Sequence, residues 1–321
     1  MGYYVPKKII NNYDLEKKTD TSDEWIRTRT GMFERHFADE NEAASDLAFK
    51  AAEKAIFGSN TTKKSDIEMI IVGTISPDHP FPSVACVLQK RLGLKDIPAF
   101  DVSAGCTGFI YALDIAKQYI ENGIVSTALV IGVEILSRLI NWDDRGTCVL
   151  FGDGAGAAIV KRAPQNCISQ IIDTKITADA TDWELLVQKG GGSRIPASAE
   201  SVRNNLHTVY MEGNKIFKLA VRAMTGVTLD VLKRNNYTIK DIDLVVPHQA
   251  NLRIIDAVGE KLSLPKNRVI VTVDRFANTS SSSVPIALAV AIEENQIKRG
   301  DVVVLTAFGA GLTFGTTLLR Y

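Results

Sequence analysis

A layered α/β fold made of two similar halves is predicted by three observations. Apolar, β-branched runs bounded by turn residues recur at 67–75 (IEMIIVGTI), 125–133 (VSTALVIGV), 242–246 (IDLVV), 269–273 (VIVTV) and 302–306 (VVVLT). Such runs read as parallel strands buried on both faces. Amphipathic segments lie between them: Phe109, Leu113, Ala116 and Ile120 fall at i, i+4, i+7 and i+11 on one helical face, and alternation of strand and helix implies stacked layers. Finally, the chain matches itself at a shift of 175 residues, which lays Asp66-Ile67-Glu68-Met69-Ile70-Ile71 over Asp241-Ile242-Asp243-Leu244-Val245-Val246 and, without a gap, Ala112-Leu113 over Ala287-Leu288. Any two βαβ units share hydrophobic periods; the common register favours duplication.

Duplication divides the chain into residues 1–170 and 171–321. The turn Ser103-Ala104-Gly105-Cys106-Thr107-Gly108 then corresponds to Asn278-Thr279-Ser280-Ser281, with Cys106 opposite Ser281. Packing two such halves together brings equivalent strand ends to a shared crevice, where α/β folds place their ligands.

The chain has 321 residues, enough to bury a large core, and 37 Lys plus Arg balance 37 Asp plus Glu. The balance offers no footprint for nucleic acid or an anionic membrane. The longest uncharged apolar run, Val284 to Ile292, has nine residues, far short of the ~20 that span a bilayer. The opening MGYYVPKK has neither a signal peptide's apolar centre nor a myristoylation pattern. Cysteines at 86, 106, 148 and 167 fit neither C-x-x-C spacing nor a disulfide scaffold, so a reducing cytoplasm is expected. His36, His79, His207 and His248 are the only histidines, and their spacing gives zinc little support.

Cys106 lies between the strand-like Ala99-Phe100-Asp101-Val102 and a helix beginning near Thr107. Unpaired N–H groups and the helix dipole there favour a thiolate, which predicts a thiol pKa at least one unit below about 8.5. Gly105 and Gly108 permit a sharp turn and a close approach of substrate. A free cysteine is also commonly a buried small hydrophobe. His248 ends the strand 242–246, and Asn278 follows 269–273. Alone, each has a structural reading, as a satisfied hydrogen-bonder or a turn residue; position on successive strand ends points both toward acyl chemistry with Cys106. The glycine clusters Gly152-Asp153-Gly154-Ala155-Gly156 and Phe308-Gly309-Ala310-Gly311 lack the βαβ context of nucleotide loops. They suit tight packing or a backbone N–H aimed at an oxyanion.

Over nearly its whole length the sequence resembles ketoacyl-acyl-carrier-protein synthase III of type II fatty-acid synthesis. The motifs are TSDEWIRTRTG at 21–31, SAGCTGF at 103–109, DRGTCVLFGDGAGA at 144–157, PHQANLRI at 247–254 and ANTSSSSVP at 277–285. The resemblance implies a thiolase-like fold of two βαβαβαββ halves in a five-layered αβαβα core, a homodimer, and a Cys106, His248, Asn278 triad. Its reaction is a decarboxylative condensation of a short acyl-CoA, acetyl-CoA first, with malonyl-acyl-carrier protein, without metal or organic cofactor. By the same resemblance the amides of Cys106 and Ala310 form an oxyanion hole, and His248 and Asn278 hold the malonyl thioester oxygen. Trp25, Arg29, Arg145 and Arg253 contact CoA, while Met211, Gly213, Asn214 and Phe217 flank the pantetheine. Phe81, closing the partner subunit's pocket, Leu136 and Phe151 bound the acyl group, and Lys218, Arg253 and Lys261 face the carrier protein. Two departures stand out: Ala277 replaces the glycine of G-N-T-S, and FGAG replaces FGGG, so Ala310 must do without glycine's freedom. Two other readings are a condensing enzyme for longer or specialised chains on the same triad, and an inactive scaffold subunit.

Overall fold

The computed structural model describes residues 1–321. Its first sheet has the strand order Gly2–Tyr4, Asp153–Lys161, Thr127–Ile135, Met69–Gly73, Ala99–Val102. The second runs Leu244–Pro247, Val302–Gly309, Thr313–Arg320, Gln170–Ala178. Side chains of successive strand residues point to opposite faces, and here both faces are covered. Ile70 and Val72 pack outward with Leu47 and Ala51 of helix Ala44–Phe57. Met69 and Ile71 point inward, joining Phe109 and Leu113 of helix Gly108–Glu121 and Val284 and Leu288 of helix Ser283–Glu293. In the second sheet Val303 and Leu305 meet the same central pair, while Val302 and Val304 pack outward with Met224 and Val258 of helices Gly213–Arg234 and Leu252–Lys261. The order is therefore helix, sheet, helix, sheet, helix. Each fully buried aliphatic side chain contributes about 1.5–3 kcal/mol.

The internal match is carried by whole elements. Strand Met69–Gly73, turn Gly105–Thr107, helix Gly108–Glu121 and strand Thr127–Ile135 each start 175 residues before Leu244–Pro247, Ser280–Ser282, Ser283–Glu293 and Val302–Gly309. Even the left-handed residue of the turn is repeated, as Gly105 (φ +54°) and Ser280 (φ +50°).

One expected strand is absent. Residues 269–273 make only a bridge between Val269 and Val245, and the chain then enters the short helix Val273–Phe276. The reason is a side chain. Gln249 Oε1 accepts the amides of Thr272 (2.8 Å) and Val273 (3.1 Å), and its Nε2 donates to the Ile270 carbonyl (3.1 Å). These bonds take the place of a strand ladder. Asn278 consequently follows a helical turn rather than a strand end.

Two ribbons flank the strand ends: Lys8–Asn11 with Glu34–Phe37, and Leu186–Gln188 with Val209–Met211. Gly2–Tyr4 pairs antiparallel with 155–157 at the sheet edge. No helix is long and apolar enough to cross a membrane.

Candidate active site

Cys106 sits in the single 3₁₀ turn Gly105–Thr107 that opens helix Gly108–Glu121. Gly105 is required there twice over. Its φ is positive, and a Cβ would lie 2.6 Å from the Ala310 nitrogen, while one on Gly309 would collide with the Cys106 nitrogen. The two backbones are thus pressed together, and the Thr107 and Thr313 hydroxyls, 2.7 Å apart, tie the turn to the hairpin beyond Gly309. Neither the Cys106 nor the Ala310 amide has a hydrogen-bond partner within the chain. Ala310 does not adopt a positive φ, so the alanine that replaces a glycine in FGAG is accommodated without backbone strain.

The expected low thiol pKa is overturned. Burial pushes the Cys106 thiol up to about 12; the Ser280 hydroxyl opposes that rise and the Glu134 carboxylate adds to it. A helix terminus contributes typically 0.3–1 kcal/mol, whereas one pKa unit is 1.36 kcal/mol and desolvation alone moves buried groups by several units. Desolvation wins, and the resting residue is a thiol.

His248 continues the strand Leu244–Pro247, its N–H donating to the Thr306 carbonyl at 2.8 Å. Burial lowers its pKa to about 3, so the ring is neutral. Its Nδ1 lies 2.6 Å from Ser283 Oγ, which also accepts the Gln249 amide at 3.4 Å. The serine proton has no other acceptor, so it is donated to Nδ1 and the ring proton belongs on Nε2.

Asn278 is locked by backbone bonds, donating to Leu150 O (2.9 Å) and accepting from Gly152 N (3.0 Å). Its Oδ1 accepts the Ser280 amide at 2.9 Å, leaving the side-chain NH₂ unpartnered. The residue before it is strained: Ala277 has φ +55° and ψ −154° and is buried. That region suits glycine and costs another residue about 1–3 kcal/mol. Ala277→Gly is expected to stabilise the protein by about 1 kcal/mol, since glycine's greater unfolded-state entropy offsets part of the relief. A denaturant titration reads this directly, and a lowered midpoint would remove the strain argument.

Cys106, His248, Asn278 and Ala310 line one cavity of about 110 Å³, together with Leu136 and Phe151. Ile75, Ile216 and Met224 extend its apolar wall. Sequence reasoning missed Ser280, Ser283 and Glu134. Ser280 lies in the turn that mirrors Cys106, Ser283 opens the helix after it, and Glu134 is an acid inside an otherwise apolar strand, a placement rare without a role.

The 3-oxoacyl-[acyl-carrier-protein (ACP)] synthase III model matches residues 100–180, and its C-terminal counterpart matches residues 232–321. A beta-ketoacyl-[acyl-carrier-protein] synthase III of Caldanaerobacter subterraneus subsp. tengcongensis is 50% identical over 320 residues, covering 100% of this chain and 96% of its own. The chain belongs to the 3-oxoacyl-[acyl-carrier-protein] synthase III family. The crystal structure of the Aquifex aeolicus synthase III superposes with a TM-score of 0.92 at 45% identity, covering 100% of this chain and 98% of that one. That from Thermus thermophilus gives 0.91 at 44% identity, with 100% and 97% covered. The fold is therefore the thiolase-like one of these enzymes, and the chain is a condensing enzyme of the acyltransferase class.

Relative to the synthase III cavity, the remaining expected residues fall in three places. Met211 and Gly213 line it. Trp25 stands outside, with the Arg145 and Arg29 guanidiniums 4.3 and 5.5 Å from its ring, and Arg253 lies 5.6 Å from the Phe217 ring. Helices Asp23–Thr30 and Leu252–Lys261 meet beside them at Gly31 and Leu252. Asn214, Lys218, Arg253 and Lys261 are exposed. Phe81 is 84% exposed and touches no part of its own chain's cavity.

Proposed function

We propose that this chain initiates fatty-acid synthesis by moving a short acyl group, acetyl first, from CoA to Cys106 and condensing it with malonyl-acyl-carrier protein. One observation carries the reading: Cys106, His248 and Asn278 share a cavity, and the amides of Cys106 and Ala310, the His248 Nε2–H and the Asn278 NH₂ all lack partners within the chain.

Cys106 attacks the thioester, and its own amide with that of Ala310 receives the oxyanion. Each such donor is worth about 3 kcal/mol in the transition state. His248 Nε2–H and the Asn278 NH₂ receive the malonyl thioester oxygen, onto which charge moves as CO₂ departs. A neutral imidazole and a carboxamide suit this because neither loses its donor proton near neutral pH. These groups meet the electrostatic demand of both half-reactions, and the reading calls for no metal or organic cofactor. CoA enters along Trp25, Arg29, Arg145 and Arg253, with its pantetheine arm past Met211, Gly213, Asn214 and Phe217. The carrier protein docks on Lys218, Arg253 and Lys261, which have no ion-pair partners in the chain. In a homodimer the exposed Phe81 closes the neighbouring subunit's pocket. Residues 1–170 act as the half that carries the nucleophile and 171–321 as the half that carries His248 and Asn278. Support comes from the sheets: strands of the first end at Lys161, and those of the second begin at Gln170.

The test is product formation from acetyl-CoA and malonyl-acyl-carrier protein. Acetoacetyl-acyl-carrier protein is the expected product; turnover that requires acetyl-acyl-carrier protein instead would overturn the reading. Leu136 and Phe151 favour short primers over the long-chain alternative. Leu136→Ala is expected to raise the hexanoyl-CoA to acetyl-CoA ratio of kcat/KM at least about tenfold, because each methylene in a pocket is worth about 1–3 kcal/mol. An unchanged ratio would place the acyl end elsewhere.

A further inference from the structure

Glu134 is fully buried behind the nucleophile turn. Its Oε2 accepts Ser76 Oγ at 2.5 Å, the Ile75 amide at 3.1 Å and Thr74 Oγ1 at 3.3 Å, and its Oε1 accepts Ser280 Oγ at 3.2 Å. Every one of these partners is a hydroxyl or an amide. A buried carboxylate without a counter-charge is costly unless its charge is used or neutralised. The Ser280 hydroxyl that donates to Glu134 also opposes the rise in the Cys106 thiol pKa, and Ser280 and Cys106 line the same cavity.

The condensing reaction needs such a group. The thiol must lose its proton while attacking, and His248 cannot accept it, because Nε2 already bears hydrogen and Nδ1 is engaged by Ser283. We propose that Glu134, acting through Ser280, takes up the proton that Cys106 releases when it attacks the acyl thioester. The inference deepens the reading above and rests on Cys106 being the acylated residue. As the S–C bond forms, the S–H bond breaks, Ser280 Oγ receives that proton, and its own passes to Glu134 Oε1. The single negative charge thereby moves from the carboxylate to the acyl oxyanion. When the tetrahedral intermediate collapses and the bond to CoA breaks, the proton returns through Ser280 to the departing CoA sulfur.

The groups that face Glu134 are Thr74, Ile75 and Ser76 after the strand Met69–Gly73, Ser280 and Ser281 from the mirrored turn, and Cys106 from the nucleophile turn. Only Cys106 among them titrates, so the two act as a coupled pair. Burial raises the Glu134 carboxyl to about 7. Below that pH the carboxyl is protonated and accepts nothing, so acylation of the native enzyme should fall as pH drops through about 7.

The experiment is single-turnover labelling of Cys106 by radiolabelled acetyl-CoA across about pH 5 to 9, with malonyl-CoA decarboxylation measured in parallel. Glu134→Gln and Ser280→Ala should each slow labelling about 10²-fold or more at neutral pH and remove the limb near pH 7, with decarboxylation kept within a few-fold. Labelling at the native rate with an unchanged profile overturns the relay, as does equal loss of both half-reactions. Should Glu134→Gln fail to fold, Ser280→Ala decides alone, since it keeps the amide that holds Asn278. Native protein that labels anywhere other than Cys106 overturns the nucleophile assignment itself.

Discussion

Cys106→Ser is expected to abolish formation of the acyl-enzyme, with a loss on the order of 10⁴- to 10⁶-fold, as for other enzymes stripped of their nucleophile. The substitution leaves the turn and both free amides in place, so the loss reads the sulfur itself. Burial that already holds the thiol near 12 would hold a serine hydroxyl higher still, beyond the reach of any base in the cavity. Intact-protein mass after incubation with acetyl-CoA measures the adduct, and peptide mapping locates it. A serine variant that acylates at a comparable rate sinks the mechanism; so does native adduct on Cys86, Cys148 or Cys167, none of which lines the cavity.

His248→Ala and Asn278→Ala should divide the reaction in two. On the proposed reading each removes one donor to the developing enolate oxygen, a loss of about 10²–10³-fold in malonyl decarboxylation. Acylation should stay within about tenfold of the native rate, because the proposed reading assigns the oxyanion of that half-reaction to the Cys106 and Ala310 amides. The pH dependence follows from the direction of the His248 shift. With its pKa lowered to about 3, the ring gains a second proton only below that value. Decarboxylation should therefore stay flat from about pH 5 to 9, whereas an ordinary histidine would change charge near 6.5. A break in the profile near 6.5, or equal damage to both half-reactions, would show that the ring does something else.

Much of this was legible in the chain. Strand runs and the helix through Phe109 and Ile120 follow from short-range periodicity, and buried strands need apolar residues on both faces whatever surrounds them. The failure at 269–273 is instructive because its cause lies 23 and 24 residues upstream of the amides concerned: Gln249 captures the N–H groups that a neighbouring strand would have bonded. Local pattern registers that Val269-Ile270-Val271 prefers to extend, not which partner is present.

The sequence by itself determined the layered α/β architecture, the 175-residue repeat of elements, and the three residue types that meet in the cavity, because periodicity, repeat register and motif are all written along one dimension. Tertiary structure alone decided the ionisation of those residues and the company they keep. Glu134 touches Ser76 and Ser280, 58 and 146 positions away, and the thiol and the imidazole are shifted chiefly by lost water. Desolvation sums over every atom packed nearby, and those atoms come from stretches of chain that no local pattern brings together.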